Sequence, residues 1–277
     1  MITNEKRVIV ALDNMSLAEA AAMTALLKDE AAGVKVGFEL LSDEGAKNIM
    51  TALQPHGVPV FFDPKLHDIP NTAEKAATKL ARRGAWIINL HCSGGVKMMS
   101  AVRKAVDEIW EKEREALGLT RKPLVIGVTV LTSLDYDQLD QVVFPVLGLA
   151  ASVLGPQTAD EKKHCIQEIA LKMARLAASC GLDGVVCSPL ETVSIRRATA
   201  DYPSFQIINP GIRSASSAKD DQERISTPSG AIIAGANWLV VGRPVTADPD
   251  PKAALQAING EVNAALVAIE EKGQVAA

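Results

Sequence analysis

The sequence predicts an α/β fold, a single-domain (β/α)8 TIM barrel, on three observations. Eight short apolar runs rich in β-branched residues recur from end to end. Each leads through a polar or glycine-containing turn toward a helical, often alanine-rich segment, the alternation expected of βα units. An open doubly wound sheet is the alternative, but it normally carries a Gly-rich fingerprint after an early strand. Neither G-x-G-x-x-G nor G-x-x-x-x-G-K-[ST] occurs.

In chain order the strands are expected at Arg7–Leu12, Val34–Phe38, Val58–Phe62, Ala85–Leu90, Leu124–Leu131, Gly184–Cys187, Phe205–Ile208 and Trp238–Val241. The runs are apolar throughout, as parallel strands buried on both faces must be. After the first, Ser16 and Glu19 form a capping box ahead of a helix over Leu17–Leu27. After the sixth, Ser188-Pro189-Leu190-Glu191 puts proline at a first helical position. After the seventh, Thr227-Pro228 opens a short helix that Gly235 ends. The stretch between strands five and six is about twice the length of the others. Its excess lies around residues 134–163, broken by Pro145, Gly148, Gly155 and Pro156, and reads as an elaborated loop plus an extra helix. No composition shift marks a second domain, so residues 1–277 read as one barrel.

Composition narrows the partner. With 29 Lys and Arg against 33 Asp and Glu the net charge is −4, and only 4% of residues are aromatic. A nucleic-acid binder needs a basic surface and, for single strands, stacking platforms. Neither is evident. Met1 to Arg7 lead straight into strand one without a secretory h-region. The longest weakly polar stretch, Phe144 to Gly155, is too short to span a bilayer. Cys92, Cys165, Cys180 and Cys187 form no C-x-x-C pair, so buried free thiols and a cytoplasmic location are expected.

Polar residues gather at the C-terminal ends of the strands, where barrels carry their chemistry. These ends supply Asp13, Lys35, Asp63 with Lys65, His91, Thr132 with Ser133, Ser188, Pro210-Gly211-Ile212-Arg213 and Gly242-Arg243. Asp63 and Lys65 are two apart, so an extended backbone would aim both the same way. With Lys35 and Asp68 they could form an alternating array that keeps each lysine protonated. Such an array can offer a proton to a carbanion and place negative charge beside a departing carboxylate. A solvated loop with incidental ion pairs is the other reading. Gly211 and Gly242 allow backbone N–H groups near an anion, and Arg213 and Arg243 add charge at the usual barrel phosphate site. Glycine turns with surface arginines would look the same singly. Ser214 to Gln222 is a small polar stretch suited to a lid. His91-Cys92 and His164-Cys165 lack partners at metal-ligand spacing, so packed or hydrogen-bonded histidines and no metal are expected. Thr72 could be a helix N-cap, and Ser93-Gly94-Gly95 could be an anion-binding turn or a plain one.

The run Asp63-Pro64-Lys65-Leu66-His67-Asp68-Ile69-Pro70-Asn71-Thr72 resembles the D-x-K-x-x-D-I-P-x-T signature of the orotidine 5′-phosphate decarboxylase family. Val10-Ala11-Leu12-Asp13, Lys35-Val36-Gly37, Pro210-Gly211-Ile212-Arg213 and the run from Val241 to Thr246 fit in the same order. Gly127 to Ser133 and Gly181 to Ser188 resemble its bacterial branch. The departures are the long segment around 134–163 and Pro64, where an aliphatic residue is expected.

The resemblance implies conversion of orotidine 5′-monophosphate to uridine 5′-monophosphate (UMP) and CO2, the last step of UMP synthesis, without metal or organic cofactor. Lys65 would protonate C6, Asp63 would lie beside the substrate carboxylate, and Lys35 would orient the ribose and the charge array. Asp13 would bind ribose hydroxyls and Thr132 the pyrimidine. Arg243 and Gln222 would hold the phosphate, with Arg213 and Gly242 at the same end. Asp68 and Thr72 would cross a homodimer interface into the partner's site. A metal-dependent sugar-phosphate decarboxylase or aldolase, or a noncatalytic phosphate-ligand sensor, are the competing classes.

Overall fold

Eight parallel strands close into a barrel in sequence order, each paired with the next and the eighth with the first. They appear in a computed structural model that describes residues 6–142, 156, 158–213 and 226–275. The first half runs β1 (Val8–Ala11), α1 (Leu17–Leu27), β2 (Gly33–Val36), α2 (Phe38–Leu53), β3 (Val60–Leu66), α3 (Pro70–Arg82), β4 (Ile87–His91), α4 (Gly95–Glu113) and β5 (Leu124–Val128). There follow α5 (Tyr136–Val142), α6 (Ala159–Ser179), β6 (Gly184–Val186), α7 (Thr192–Ala198), β7 (Gln206–Asn209), α8 (Pro228–Ile233), β8 (Trp238–Val241), α9 (Arg243–Thr246) and α10 (Pro251–Val275).

Alternation along each strand sorts two cores. Val8, Val10, Val34, Val36, Phe62, Ile88, Leu90, Val185, Ile207 and Leu239 join the layer beneath the helices. Their neighbours Ile9, Ala11, Phe61, Ile87, Ile126, Ile208 and Val240 fill the barrel interior with Trp86 and Trp238. The two indoles meet edge to face at 5.1 Å. Both precede or begin their strands, so they close the N-terminal end. Arg7 and Arg121 stack over these indoles and Gln206 accepts from the Trp238 N–H, while Lys35 and Asp63 lie toward the other end.

The interior tolerates little added volume. A Cβ on Gly184 would lie 2.1 Å from the carbonyl oxygen of Gln206, its partner on β7. Gly184→Ala is therefore expected to destabilise the fold by about 1–3 kcal/mol, since backbone must move to admit a methyl group. A melting temperature within a degree of wild type would contradict this packing.

Helix starts follow their caps. Ser16 and Glu19 complete the capping box of α1, and Thr227 caps α8. Gly235, at φ 106°, follows that helix in a conformation glycine favours. Ser188 and Glu191 also form a capping box, but over one 3-10 turn, Pro189–Glu191, before α7 begins.

Several boundaries differ from expectation. Strand two stops at Val36, because Gly37 caps α2 and Phe38 begins that helix. Strand five stops at Val128 rather than Leu131, where the chain turns into a loop. Strand three starts later, at Val60, and continues through Asp63, Pro64 and Lys65 to Leu66. Helix α3 starts at Pro70 with Ile69 as its N-cap, so Thr72 lies inside the first turn and is not the cap. All four cysteines are free, but only Cys92 and Cys187 are buried; Cys165 and Cys180 are partly exposed. Residues 143–155 of the long fifth connection lie outside the described residues.

Candidate active site

At the C-terminal mouth a cavity of about 400 Å³ opens, a size suited to a small ligand. Its lining joins Asp13, Lys35, Asp63 and Lys65 on one side to Arg213, Gly242 and Arg243 on another, over an apolar wall that includes Val128, Val186 and Ile212. Inward-facing positions of consecutive strands put these groups together, although they lie far apart in sequence.

Lys35 points inward from β2 and is buried at 8% exposure. Its ammonium lies 3.0 Å from Asp13 Oδ1 and 3.2 Å from Asp63 Oδ2. Lys65 Nζ reaches both oxygens of Asp63 at 2.9 Å. The charges thus alternate Asp13, Lys35, Asp63, Lys65. Burial works against the Lys35 ammonium, but the charges of Asp63 and Asp13 outweigh it and hold its pKa above the usual lysine value. Burial likewise works against the Asp63 carboxylate, and Lys35 and Lys65 outweigh it, so its pKa sits below the usual range. Gly37 leaves room for this arrangement: a Cβ there would meet Asp13 Oδ1 at 2.7 Å.

Lys65 does not sit on a regular extended strand. Its φ is +47°, and the β3–β4 register shifts between Phe62 and Leu66. Asp63 and Lys65 meet through this irregularity, not through simple two-residue alternation. The side chain of Asn89, fully buried on β4, faces it. Asn89 Oδ1 accepts from the Lys65 backbone N–H at 2.8 Å, and Nδ2 donates to Asp63 Oδ1 at 2.5 Å. Nothing in the sequence reading singles out Asn89; the available signal is a lone amide inside the apolar run Ile87-Ile88-Asn89-Leu90.

Within the chain the second carboxylate of the array is Asp13, not Asp68. Asp68 is exposed, outside the cavity lining, and accepts from the Ile69 backbone N–H at 2.7 Å. Thr72 is also exposed and outside the lining. Thr132 lines the cavity beside Leu131.

At the opposite end, Gly211 has φ +75° and Ile212 forms a bridge to Ser226. The Arg213 N–H donates to Ser226 O at 3.0 Å, joining the described residues on either side of positions 214–225. Gly242 precedes the short α9 and brings Arg243 to the rim. Gln222 and the Ser214–Gln222 stretch lie outside the described residues.

His91 packs near His67, ring centroids 5.4 Å apart. Its pKa is lowered by burial first, then by His67 and Lys65, against the opposing charge of Asp63. His164 is exposed rather than packed. Among the described residues no three His, Cys, Asp or Glu side chains cluster to hold a metal. No described helix is long and apolar enough to cross a membrane.

The chain is similar to known proteins across nearly its whole length. The family described as Orotidine 5'-phosphate decarboxylase / HUMPS matches residues 6–258. A Chromobacterium violaceum protein named orotidine 5'-phosphate decarboxylase is 40% identical over 256 residues, covering 92% of this chain and 91% of the relative. A Nitrosomonas europaea protein of the same name is 40% identical over 95% of this chain and 100% of its own. The crystal structure of orotidine 5'-phosphate decarboxylase from Lactobacillus acidophilus superposes with a TM-score of 0.70 at 32% identity, covering 94% of this chain and all of that one. With its barrel, its strand-end residues and matches across nearly its whole length, the chain belongs to the orotidine 5'-phosphate decarboxylase / HUMPS family.

Proposed function

We propose that the protein is a carboxy-lyase that converts orotidine 5′-monophosphate to UMP and CO2 without metal or organic cofactor. The observation that carries the reading is the alternating Asp13–Lys35–Asp63–Lys65 chain in a cavity whose far side presents Arg213 and Arg243. The arginines suit a phosphate, and the apolar wall with Thr132 suits a pyrimidine.

In this reading the phosphate binds toward Arg213, Gly242 and Arg243, with Gln222 as a further contact. Asp13 and Lys35 hold the ribose. The substrate carboxylate then lies beside Asp63, and the Lys65 ammonium faces C6. As the C6–carboxylate bond breaks, its electron pair stays on C6 and CO2 leaves. Lys65 delivers a proton to C6 and is reprotonated from solvent. Fixed charge is the principal stabilising device, because a pyrimidine carbanion has no electron sink here. Contacts to the distant phosphate raise the rate only where they orient the substrate or drive closure.

Purified protein dialysed against EDTA is expected to deplete the substrate's ultraviolet absorbance and form UMP stoichiometrically with CO2. No turnover with or without divalent ions would sink the proposal. Turnover that EDTA abolishes and a metal restores would favour a metal-dependent relative.

The exposed Asp68 and Thr72 act, in the same proposal, in the site of a second copy. Ile69 between them is 66% exposed, an apolar residue suited to a subunit contact. Lys65→Ala and Asp68→Ala are each expected to be inactive alone, yet a subunit-exchanged mixture should regain activity through mixed dimers with one intact site. Verified exchange without any recovery would confine Asp68 to its own subunit.

A further inference from the structure

The β3–β4 seam carries an assignment beyond the acid–base array. From Phe62 to Leu66 strand β3 advances four residues, while β4 advances only two, from Ile88 to Leu90. Asp63, Pro64 and Lys65 therefore stand opposite the single residue Asn89. Extra residues of this kind leave backbone groups without a ladder partner. Pro64 has no N–H to satisfy. The Lys65 N–H does, and Asn89 Oδ1 accepts it at 2.8 Å.

We propose that Asn89 is a positioning residue: its amide replaces the missing rung, holds Lys65 in its left-handed conformation and ties that conformation to Asp63. The inference rests on the decarboxylase reading for its kinetic consequence, and on geometry for its structural one. A lysine at positive φ carries a steric penalty that surrounding contacts must offset. The acceptor half of Asn89 supplies one such contact. The donor half reaches the very carboxylate that both lysines flank. One planar group thus fixes the backbone that launches Lys65 and the anion that receives it. Asn89 has no exposure and does not line the cavity, so it acts through Lys65 and Asp63 and not on substrate.

Residue chemistry makes the claim selective. Leucine matches asparagine in heavy-atom count and branching, though it is bulkier, and has neither hand. Aspartate keeps the acceptor and turns the donor into a second anion facing Asp63. A residue that only filled space would tolerate the first, and one that only accepted the Lys65 N–H would tolerate the second. Asn89→Leu and Asn89→Asp are both expected to lower kcat by about 100-fold, the scale of a displacement near 1 Å at the reacting group. UMP affinity measured by calorimetry should change little, because Arg213 and Arg243 lie on the opposite side of the cavity.

A crystal structure of Asn89→Leu should show Lys65 leaving positive φ and its ammonium leaving Asp63. Wild-type protein provides a measurement that needs no variant to fold: the Lys65 amide should exchange with deuterium as slowly as those of Phe62 and Leu66. Wild-type kcat in either variant, equal losses of kcat and UMP affinity, an unmoved Lys65, or fast exchange at Lys65 would each overturn the assignment. Failure of wild-type turnover would instead overturn the decarboxylase reading, while the crystal structure and the exchange rate still judge Asn89.

Discussion

Lys65→Ala is expected to reduce kcat by about 10⁴-fold or more while leaving the protein folded and its affinity for UMP nearly intact. Two contributions disappear together: proton delivery, worth about 10²–10⁴, and a cation placed where negative charge develops, worth about 10²–10³. Folding should tolerate the change, since the Lys65 side chain is 38% exposed and exposed ion pairs contribute little. Binding should tolerate it too, because the arginines proposed to hold the phosphate come from after β7 and β8 and not from β3. Lys65→Arg separates the two contributions. It keeps a cation but gives up the proton only at very high pH, so it should recover part of the electrostatic share and little of the proton transfer. A Lys65→Ala enzyme within tenfold of wild type would remove Lys65 from the chemistry.

Asp63→Asn should cost both activity and stability. The side chains of Asp63 and Lys35 are 9% and 11% exposed, so their pairing is not screened as the Lys65 contact is. Removing one partner of a buried pair typically costs about 3–5 kcal/mol. The lower end applies here, because Asp13 stays beside Lys35. The pH dependence has a definite sign. A carboxyl whose folded pKa is depressed stabilises the protein above its unfolded pKa, and that stability is lost as pH falls through the folded value. For Asp63 the loss begins below about pH 4. Lys35, with a raised pKa, contributes fully below about pH 10.4 and loses its contribution as pH rises through its folded value. Urea unfolding should therefore show the wild-type advantage over Asp63→Asn greatest near neutrality and narrowing below about pH 4. Parallel stability curves down to pH 2 would show that the carboxylate charge is not what the variant loses.

Much of this architecture is legible in the sequence because buried parallel strands leave a coarse signal. Each of the eight β-branched runs overlaps an observed strand, and the Ser16–Glu19 and Thr227 caps work through local hydrogen bonds. Phe38 is a different case. It is apolar and follows Val36-Gly37, so it extends the run on paper, yet it starts a helix and is 68% exposed. The charges and proline of Asp63-Pro64-Lys65 look like a loop, but strand β3 carries them and pairs again at Leu66. Membership of the site is legible where a residue ends a strand, as with Asp13, Arg213 and Arg243. Which carboxylate neighbours which ammonium is not, because barrel register decides it: Lys35 meets Asp13 through the pairing of β1 with β2. The role of Asn89 is hidden for the same reason. Its partners lie 24 and 26 residues earlier on the neighbouring strand.

The edge-to-face pair of Trp86 and Trp238 has a consequence for traffic. With the barrel floor sealed by indoles and filled above them by Phe61, Ile87, Ile126 and Ile208, the described structure is a cup with its opening at the mouth. A reaction that makes two products from one substrate must then send both out by the way the substrate came in. For the proposed chemistry the expected order follows from charge: uncharged carbon dioxide should leave first, and the nucleotide, whose phosphate Arg213 and Arg243 would hold, should leave last.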